Sequence, residues 1–278
     1  EELEAMRGTG DWVGPRVYST IDSWPSKKWY VAEGVKLSAL LDVAGMKKDA
    51  QKIKVRTTDD HEMTFTVKEL LEDTRYYFPK LKENHESAGH IPGSPEEKDE
   101  VEAIIALRSA EDSNEEKDMD SLACPQLILG QRAVTEQTNH AFVKNVREIE
   151  VLTDPPPSKW AAPKADPLGG EVPVGTEVVL KTESNNDYSK IYYTIDGSEP
   201  TLESPIYNWS SSHDRDDLEE INKPVVITED TIIKAKTVGF GQEDSEIVTF
   251  QYTVPSVTVP VTGVSIIPEG DQKLEVGS

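Results

Sequence analysis

The residues best suited to nucleophilic or metal chemistry are a single cysteine, Cys124, and five histidines. One cysteine excludes an internal disulfide bond and a cluster of thiolate metal ligands. The chain contains no His-Glu-x-x-His motif, Gly-x-Ser-x-Gly elbow, P-loop or dinucleotide-binding glycine motif. The histidines, which show no paired spacing, are His61, His85, His90, His140 and His213. The sequence therefore predicts no catalytic residues and no metal site.

Aromatic residues of the first hundred positions form a second group with possible chemistry. Such rings serve either as core packing or as a flat platform for a sugar ring or a peptide, with a nearby arginine for polar groups. Both interpretations stay open, because sequence alone does not show which rings are exposed. The candidate ligand-binding residues are Trp24, Trp29, Tyr30, Tyr76, Tyr77 and Arg75.

The charge balance limits the classes of partner. The net charge is −23, from 52 acidic and 29 basic residues. Nucleic acids and anionic membranes attract basic surfaces, so both are disfavoured. An acidic surface either keeps a protein soluble or attracts cations and basic partners. No apolar run approaches the roughly 18 residues of a membrane span, and the chain opens on EELEAM as if cut from a longer protein.

A proline-rich stretch at 154–170 divides the chain into two unlike parts. Proline fixes φ and removes an amide donor, so a stiff, extended linker is expected here. Residues 1–153 mix helical and strand patterns and are predicted to form an α+β module. One helix in it is predicted from apolar residues at helical spacing that end at Gly45.

Residues 171–255 contain five β-type runs separated by turn residues, the pattern of a small antiparallel sandwich. Ile191, Tyr193 and Ile195 alternate with Tyr192 and Thr194 along one of these runs. Successive side chains of a strand point to opposite faces, so the first three residues are expected to face the core.

Four motifs in the N-terminal part follow one another as GVKLSALLDVAG, KIKVRTTDDHEMTFTVKELL, EAIIALRSAED and CPQLILGQ…FVKNVREIEVL. In this order, and over most of residues 16–152, they resemble the molybdopterin-binding domain of the sulfite oxidase family. The resemblance implies a cysteine thiolate as the molybdenum ligand, at or near Ser19 and Thr20. Neither position has a thiol.

Cys124 lies near the position where that family has a His-Gly-x-Pro-x-Arg pattern for the pterin phosphate. The residues here are Leu122-Ala123-Cys124-Pro125-Gln126-Leu127, without the histidine and the arginine. The resemblance therefore implies the fold without molybdopterin, and no cofactor is expected. The alternative is an oxidoreductase that binds the metal through an unconventional ligand, Cys124.

The segments Tyr192–Thr201, Ser204–Tyr207 and Thr231–Ala235 resemble, in order and residue type, the C-terminal β-sandwich of chitobiases and β-hexosaminidases. The resemblance implies a module that accompanies glycosidases and bacterial surface proteins and is not itself a catalytic unit. An acidic stretch within residues 208–222 is predicted to be a solvated loop rather than a calcium site, because it lacks the ligand order of a calcium loop.

The tail, residues 256–278, carries VTGVSI and LEVGS, which resemble the opening of a bacterial group 2 immunoglobulin-like domain. The predicted fold is thus multi-domain: an α+β module at 1–153, a linker at 154–170, an all-β immunoglobulin-like sandwich at 171–255, and an incomplete immunoglobulin-like domain.

The predicted function is non-catalytic display, spacing or binding in the extracellular space, on the surface of a bacterium. The expected partner is a cell-wall polymer, a glycan or an extracellular protein. Two alternatives remain: a molybdopterin-dependent oxidoreductase and a carbohydrate-binding accessory module. Exposed aromatic rings would favour carbohydrate binding, whereas a buried set would favour a spacer.

Overall fold

The protein is mostly β-sheet, with 41% of it in strands and 10% in helices. The computed structural model describes residues 2–83, 93–184, 188–210 and 221–255. Two predicted features lie outside these residues, namely the acidic stretch at 211–220 and the immunoglobulin-like start at 256–278.

The N-terminal module, residues 2–152, is built from antiparallel strands. In chain order these are β1 (Trp12–Ile21), β2 (Lys27–Lys36), β3 (Lys52–Thr57), β4 (Glu62–Thr66), β5 (Arg75–Tyr77), β6 (Asp99–Val101), β7 (Ile104–Glu111), β8 (Gln126–Ile128) and β9 (Val146–Leu152). They form sheets in the orders β1–β2–β7–β8, β4–β3–β9 and β5–β6. The alternation along β3 buries Ile53 and Val55 completely in the module core, as a half-buried strand requires.

Helices in the described ranges are short. The predicted helix is confirmed as α1 (Leu37–Val43), which buries Leu37 and Leu41, and Gly45 stops it with φ of +74°. One turn of π-helix covers Lys68–Glu72, and 3₁₀ turns cover Glu4–Met6, Glu116–Asp118 and Asn139–Ala141. None of these helices has both the length and the apolar character of a membrane span. The α+β class is therefore not confirmed for this module.

The sandwich, residues 164–255, has two facing sheets. Its strands are β10 (Lys164–Asp166), β11 (Gly170–Glu171), β12 (Thr176–Lys181), β13 (Ser189–Thr194), β14 (Val225–Ile227), β15 (Thr231–Gly239) and β16 (Val248–Thr253). The sheets run β10–β12–β14 and β11–β16–β15–β13. Val178, Leu180, Ile191, Ile233 and Phe250 belong to the core cluster of this module. All five β runs predicted from the sequence are confirmed as strands. The core position predicted for Ile195 is wrong, because β13 ends at Thr194 and Ile195 is 56% exposed.

The prediction of a linker at 154–170 needs correction. Residues 164–166 form β10 and pair antiparallel with β12, and Gly170–Glu171 pair in parallel with β16. The Tyr252 hydroxyl also donates a hydrogen bond to the Pro167 carbonyl at 2.6 Å. An extended backbone keeps its remaining N–H and C=O groups available, so a proline-rich segment can join a sheet at its edge. The second half of the stretch thus belongs to the sandwich.

The two modules share a buried apolar cluster. Trp24, from the N-terminal module, packs with Tyr192 and Val238 on the outer face of the four-stranded sheet. Ile206, Trp209 and Ile221 complete this cluster. Tyr192 is only 2% exposed, although strand alternation points it away from the core of its own module. The contact therefore buries a face that an isolated sandwich would leave in water.

Candidate functional site

A cleft of about 450 Å³ lies where the two modules meet, and we name it the inter-module cleft. Aromatic side chains from both modules line it. The N-terminal module supplies the hairpin between β3 and β4 and the turn at His140, and the sandwich supplies the loops at Tyr188 and Phe240. Its lining includes His61, Met63, His140, Trp160, Tyr188 and Phe240.

Trp160 is positioned by pairing of its segment with a distant loop. Its backbone N–H donates to the Glu243 carbonyl at 2.9 Å, and the Glu243 N–H donates to the Ser158 carbonyl at 2.9 Å. The indole lies against Gly239, where a Cβ would stand only 3.0 Å from its Cε2 and Cζ2 atoms and 2.5 Å from the Tyr188 carbonyl oxygen. Only glycine permits this approach of the ring to the backbone.

Two features of this cleft suit a ligand with both flat and polar surfaces. Tyr188 is 54% exposed, and His140 contacts it edge-on with ring centroids 6.0 Å apart. The Trp160 Nε1–H is buried without an acceptor among the described residues. Buried N–H groups are normally paired, so a ligand oxygen at this position would satisfy the donor.

Phe240 joins this cleft to the core of the N-terminal module. Its ring packs edge-on against Phe65 at 5.4 Å and against His140 at 5.5 Å. The Arg75 guanidinium lies 5.5 Å from the ring centroid, within the range of a cation–π contact. The loop of the sandwich is therefore inserted into the neighbouring module.

Gly241 holds this inserted loop through its backbone. It has φ of +83°, and a Cβ here would lie 2.5 Å from the Thr64 carbonyl oxygen. Its N–H donates to the Glu69 carboxylate, with 2.9 Å to Oε2 and 3.2 Å to Oε1. Glu69 also accepts from the Thr66 N–H at 2.7 Å, while its own N–H donates to Thr66 Oγ1 at 3.1 Å.

This reciprocal pair is the capping box Thr-x-x-Glu at the start of the helical turn 68–72. Glu69 is 4% exposed, and this burial raises the pKa of its carboxyl. Hydrogen bonds from the Gly241 N–H, the Thr66 N–H and the Thr66 side chain, together with the charge of Arg132, favour the charged form but do not outweigh burial. One carboxylate thus caps a helical turn in one module and binds the other module.

Behind Phe240 lies a buried network of charges. The Glu136 carboxylate accepts from Arg132 Nε at 2.7 Å and contacts Arg75 Nη1 at 3.4 Å. Burial opposes ionisation of Glu136, but the charges of the two arginines outweigh it and lower its pKa. Arg75 also donates to the Glu69 and Gly130 carbonyls at 2.9 Å, and burial lowers its pKa to about 10. These bonds fix the guanidinium beneath the Phe240 ring.

Three of the candidate residues from the sequence are buried. Arg75 and Tyr30 are each 2% exposed and Trp24 is 9% exposed. Arg75 belongs to the charge network, Trp24 to the inter-module cluster, and the Tyr30 hydroxyl donates to Asn139 Oδ1 at 3.3 Å. These contacts hold the three side chains in the packed interior of the fold, and their role in ligand binding stays a prediction.

Trp29, Tyr76 and Tyr77 are half-buried. Lys82 Nζ stands 4.4 Å from the Trp29 ring centroid, and Lys98 Nζ stands 4.0 Å from that of Tyr76. Tyr77 packs against the module core. The lysines cover the two ring faces, so the described residues do not unite these aromatics in one open platform. Their role in ligand binding stays a prediction.

The residues near the expected molybdopterin site do not fit that cofactor. Ser19 and Thr20 are fully buried. Ser19 Oγ donates to Gln131 Oε1 at 2.6 Å and accepts the Phe78 N–H at 2.9 Å, and Thr20 Oγ1 bonds Thr138 Oγ1 at 2.8 Å. Their hydroxyls already have protein partners, and neither residue offers the soft sulfur ligand that molybdenum needs.

Cys124 is half-buried, with Sγ 3.5 Å from Ser109 Oγ. Burial raises the pKa of its thiol, so the thiolate that would ligate a metal is disfavoured. Within the described ranges, no group of three or more His, Cys, Asp or Glu residues is arranged to hold a metal ion.

Sequence reasoning missed the aromatics that line the inter-module cleft. Trp160 lies in the stretch predicted as linker, and Tyr188 and Phe240 flank strands at turn positions. A tryptophan in a proline-rich, otherwise polar segment was the one available signal. A second aromatic cleft, of about 350 Å³, lies beside Tyr207 and Trp209, but these rings are 8% and 5% exposed and present little surface.

The comparisons with known proteins bear on the sandwich. Residues 167–249 match the family described as "Chitobiase/beta-hexosaminidase C-terminal domain". This finding agrees with the resemblance seen in Tyr192–Thr201. The chitobiase-type nature of this segment is thereby confirmed.

Among solved structures, the chain is similar to one described as "Biofilm associated protein - BSP domain", at 12% identity and a TM-score of 0.20. The similarity covers 90% of this chain and 30% of that chain, so this chain spans less than a third of that structure. A likeness at this TM-score supports no detailed assignment. Among curated proteins, none matches. Neither match identifies the N-terminal module as similar to sulfite oxidase or residues 256–278 as immunoglobulin-like.

Proposed function

We propose that this chain is a non-catalytic extracellular module that binds a glycan in the inter-module cleft. The observation that carries this proposal is that Trp160, Tyr188 and Phe240 line one cleft, and that the Trp160 Nε1–H has no acceptor among the described residues. Flat aromatic faces pack on the apolar faces of sugar rings, and buried N–H groups bind their hydroxyl oxygens. The chitobiase-type match at 167–249 supports a carbohydrate-related setting.

The wider setting of the proposal is the surface of a bacterium, where a cell-wall polymer or an extracellular polysaccharide would supply the glycan. The N-terminal module would be a degenerate relative of the sulfite oxidase domain that functions without molybdopterin. The hydrogen-bonded hydroxyls of Ser19 and Thr20 support this second part. Its role would be structural, since it supplies one wall of the cleft and fixes Phe240.

The test is to titrate the protein with a panel of oligosaccharides from bacterial and animal extracellular matrices. Binding is measured by calorimetry and by tryptophan fluorescence. Trp160→Ala and Tyr188→Ala should each weaken binding about fivefold to tenfold, because an aromatic contact contributes roughly 1 kcal/mol beyond its buried area. Trp29→Ala is the matched control, since it removes an indole from another surface of the N-terminal module.

If Trp29→Ala weakens binding and Trp160→Ala does not, the glycan binds at the half-buried aromatics and the assignment of the cleft is wrong. If no oligosaccharide, including the fragments of the host cell wall, binds above background, the glycan-binding function is wrong. The packed and hydrogen-bonded junction between the modules would then favour a role in spacing neighbouring domains.

A further inference from the structure

A second cleft, of about 390 Å³, lies on the N-terminal module beside the end of β7, and we name it the acidic cleft. It has no part in the inter-module cleft and shares no lining residue with it. Its carboxylates lie at the sheet edge beyond β7. The chain continues from β7 through the turn Glu116–Asp118 and comes back, so that Asp120 pairs with Ser109. The residues used below are Glu111, Asp112, Asp118, Asp120, Leu122 and Gln126.

The charge of this cleft is not balanced by its own cations. Glu111 is paired with Lys28 and with Lys144, each at 2.7 Å, and these lysines outweigh burial and lower its pKa to about 2. Asp112, Asp118 and Asp120 have no ion pair with any residue in the described ranges. The cleft therefore keeps three exposed carboxylates whose charge no basic side chain in the described ranges neutralises.

Two of these carboxylates are held in position by local hydrogen bonds. Asp118 Oδ2 accepts from the Ser113 hydroxyl at 2.6 Å, and Asp120 Oδ1 accepts from the Leu122 N–H at 2.8 Å. Each carboxylate has lone pairs to spare after one such bond. A guanidinium or ammonium group that enters the cleft thus meets oriented acceptors.

Gln126 provides an independent sign of a ligand. It is fully buried and lines the floor of the acidic cleft. Its Oε1 accepts from the Ser109 hydroxyl at 2.9 Å, but its Nε2 has no partner in the described part of the chain. An unsatisfied buried amide costs about 1–3 kcal/mol. A ligand with a carbonyl or hydroxyl oxygen would satisfy this donor.

Leu122 adds an apolar contact at the rim, where its side chain is 85% exposed. Arginine and lysine side chains combine an aliphatic stem, which packs on such a surface, with a charged head group that carboxylates bind. A peptide also carries carbonyl oxygens, which the Gln126 amide requires. We propose that the acidic cleft binds an arginine- or lysine-bearing segment of a partner protein.

An amino sugar also has an amine and oxygen acceptors, but it lacks the long aliphatic stem that Leu122 would cover. The peptide is therefore the better match to the three features together. The proposal is independent of glycan binding in the inter-module cleft, because the two sites share no residue.

The experiment measures fluorescence anisotropy of a labelled arginine-rich peptide with the full chain. Citrulline in place of arginine keeps the shape and removes the charge, and should weaken binding at least about tenfold, since charge-assisted bonds are lost. The triple variant Asp112→Asn, Asp118→Asn and Asp120→Asn should weaken binding of the arginine peptide by a similar factor. Gln126→Met should weaken it less, by about threefold to tenfold.

The matched control removes the same charge from the sandwich through Glu171→Gln, Glu177→Gln and Glu229→Gln, all at exposed positions. It should change binding less than about twofold. Circular dichroism and urea unfolding of each variant identify a loss of folding. If the two triple variants weaken peptide binding equally, the peptide is attracted by the overall negative charge of the protein, and the assignment of the acidic cleft as its binding site is wrong.

Equal binding of the arginine and citrulline peptides would also overturn the proposal. A glucosamine oligomer serves as the competing ligand. One outcome is that the oligomer binds to the wild type and binds more weakly to the triple Asp→Asn variant, while the arginine peptide does not bind at all. In that case the acidic cleft is a site for an amino sugar, and the peptide assignment is wrong.

Discussion

The Glu69 carboxylate accepts the backbone N–H of Gly241 at 2.9 Å, across 172 positions of sequence. This bond connects the capped helical turn of the N-terminal module to a loop of the sandwich. It lies beside Phe240, which forms part of the inter-module cleft. The position of one cleft wall therefore depends on a residue that does not itself line the cleft.

Replacement of Glu69 by alanine should destabilise the junction. The buried N–H of Thr66 would lose its acceptor at about 1–3 kcal/mol, and the partly buried N–H of Gly241 would lose its acceptor at a smaller cost. Urea unfolding measures this loss. Glu72→Ala is the control, since Glu72 is exposed in the same helical turn. Equal stability of the two variants would show that the bond contributes nothing.

A methyl group at Gly241 should separate the modules. Both Gly241 and Gly175 have positive φ, but a Cβ at Gly175 meets open space, whereas one at Gly241 would lie 2.5 Å from the Thr64 oxygen. Gly175→Ala should cost about 1–2 kcal/mol for backbone strain alone. Gly241→Ala should cost clearly more and raise the rate of proteolysis between residues 153 and 163. A cost equal to that of Gly175→Ala would contradict the close approach.

The buried charge network predicts a pH-dependent effect of Glu136→Gln. At pH 7 the variant leaves the buried Arg75 without its carboxylate, whereas Arg132 keeps Asp73 at 3.0 Å. The loss should be about 3–5 kcal/mol. Because the folded pKa of Glu136 is lowered, its contribution is complete above its ordinary value of 4.5 and is lost as the pH falls through the lowered pKa.

The stability difference between wild type and Glu136→Gln should therefore begin to shrink below about pH 4.5 and vanish only below the lowered pKa of Glu136, provided both remain folded there. Urea unfolding at several pH values measures the difference. Glu148→Gln, which removes one exposed partner of Arg56, should cost less than about 1 kcal/mol at every pH. A pH-independent loss in Glu136→Gln would mean that packing, and not charge, carries the effect.

We expect no molybdenum in the protein after expression in a host that makes the cofactor. Metal analysis and pterin fluorescence of the purified chain give the measurement. Cys124→Ser should leave both signals at background, since the thiol is half-buried and its pKa is raised. Stoichiometric molybdenum that disappears in Cys124→Ser would instead support the oxidoreductase alternative.

Local pattern was enough to predict the strands of the sandwich, because the alternation of Ile191 and Tyr193 with their neighbours is set within one strand. It was not enough for Tyr192, which the same alternation points outward. Trp24, which belongs to the other module, covers Tyr192. The residue pattern of a single strand cannot indicate a contact that another module makes. Helix α1 was predictable for the same reason as the strands: its apolar spacing and its glycine stop are local.

The cleft was not predictable from composition. Prolines around Trp160 indicate an extended chain, which the structure shows, but not its partner, Glu243, more than eighty positions away in the sequence. The candidate aromatics were chosen by their clustering in sequence, and three residues of that set turned out to be buried. Exposure is a property of the assembled modules, so residue type alone could not distinguish platform from core.

The parallel pairing of β11 with β16 has a mechanical consequence. The chain enters the sandwich at β10 and continues into β11, and β16 is the last strand of the described fold. Strands β11 and β16 lie side by side with Gly170 opposite Tyr252. Tension applied along the chain pulls these strands toward opposite ends. The Val172–Thr253 hydrogen bond and the Tyr252–Pro167 bond are then loaded together in shear, and they resist force jointly instead of opening one after another.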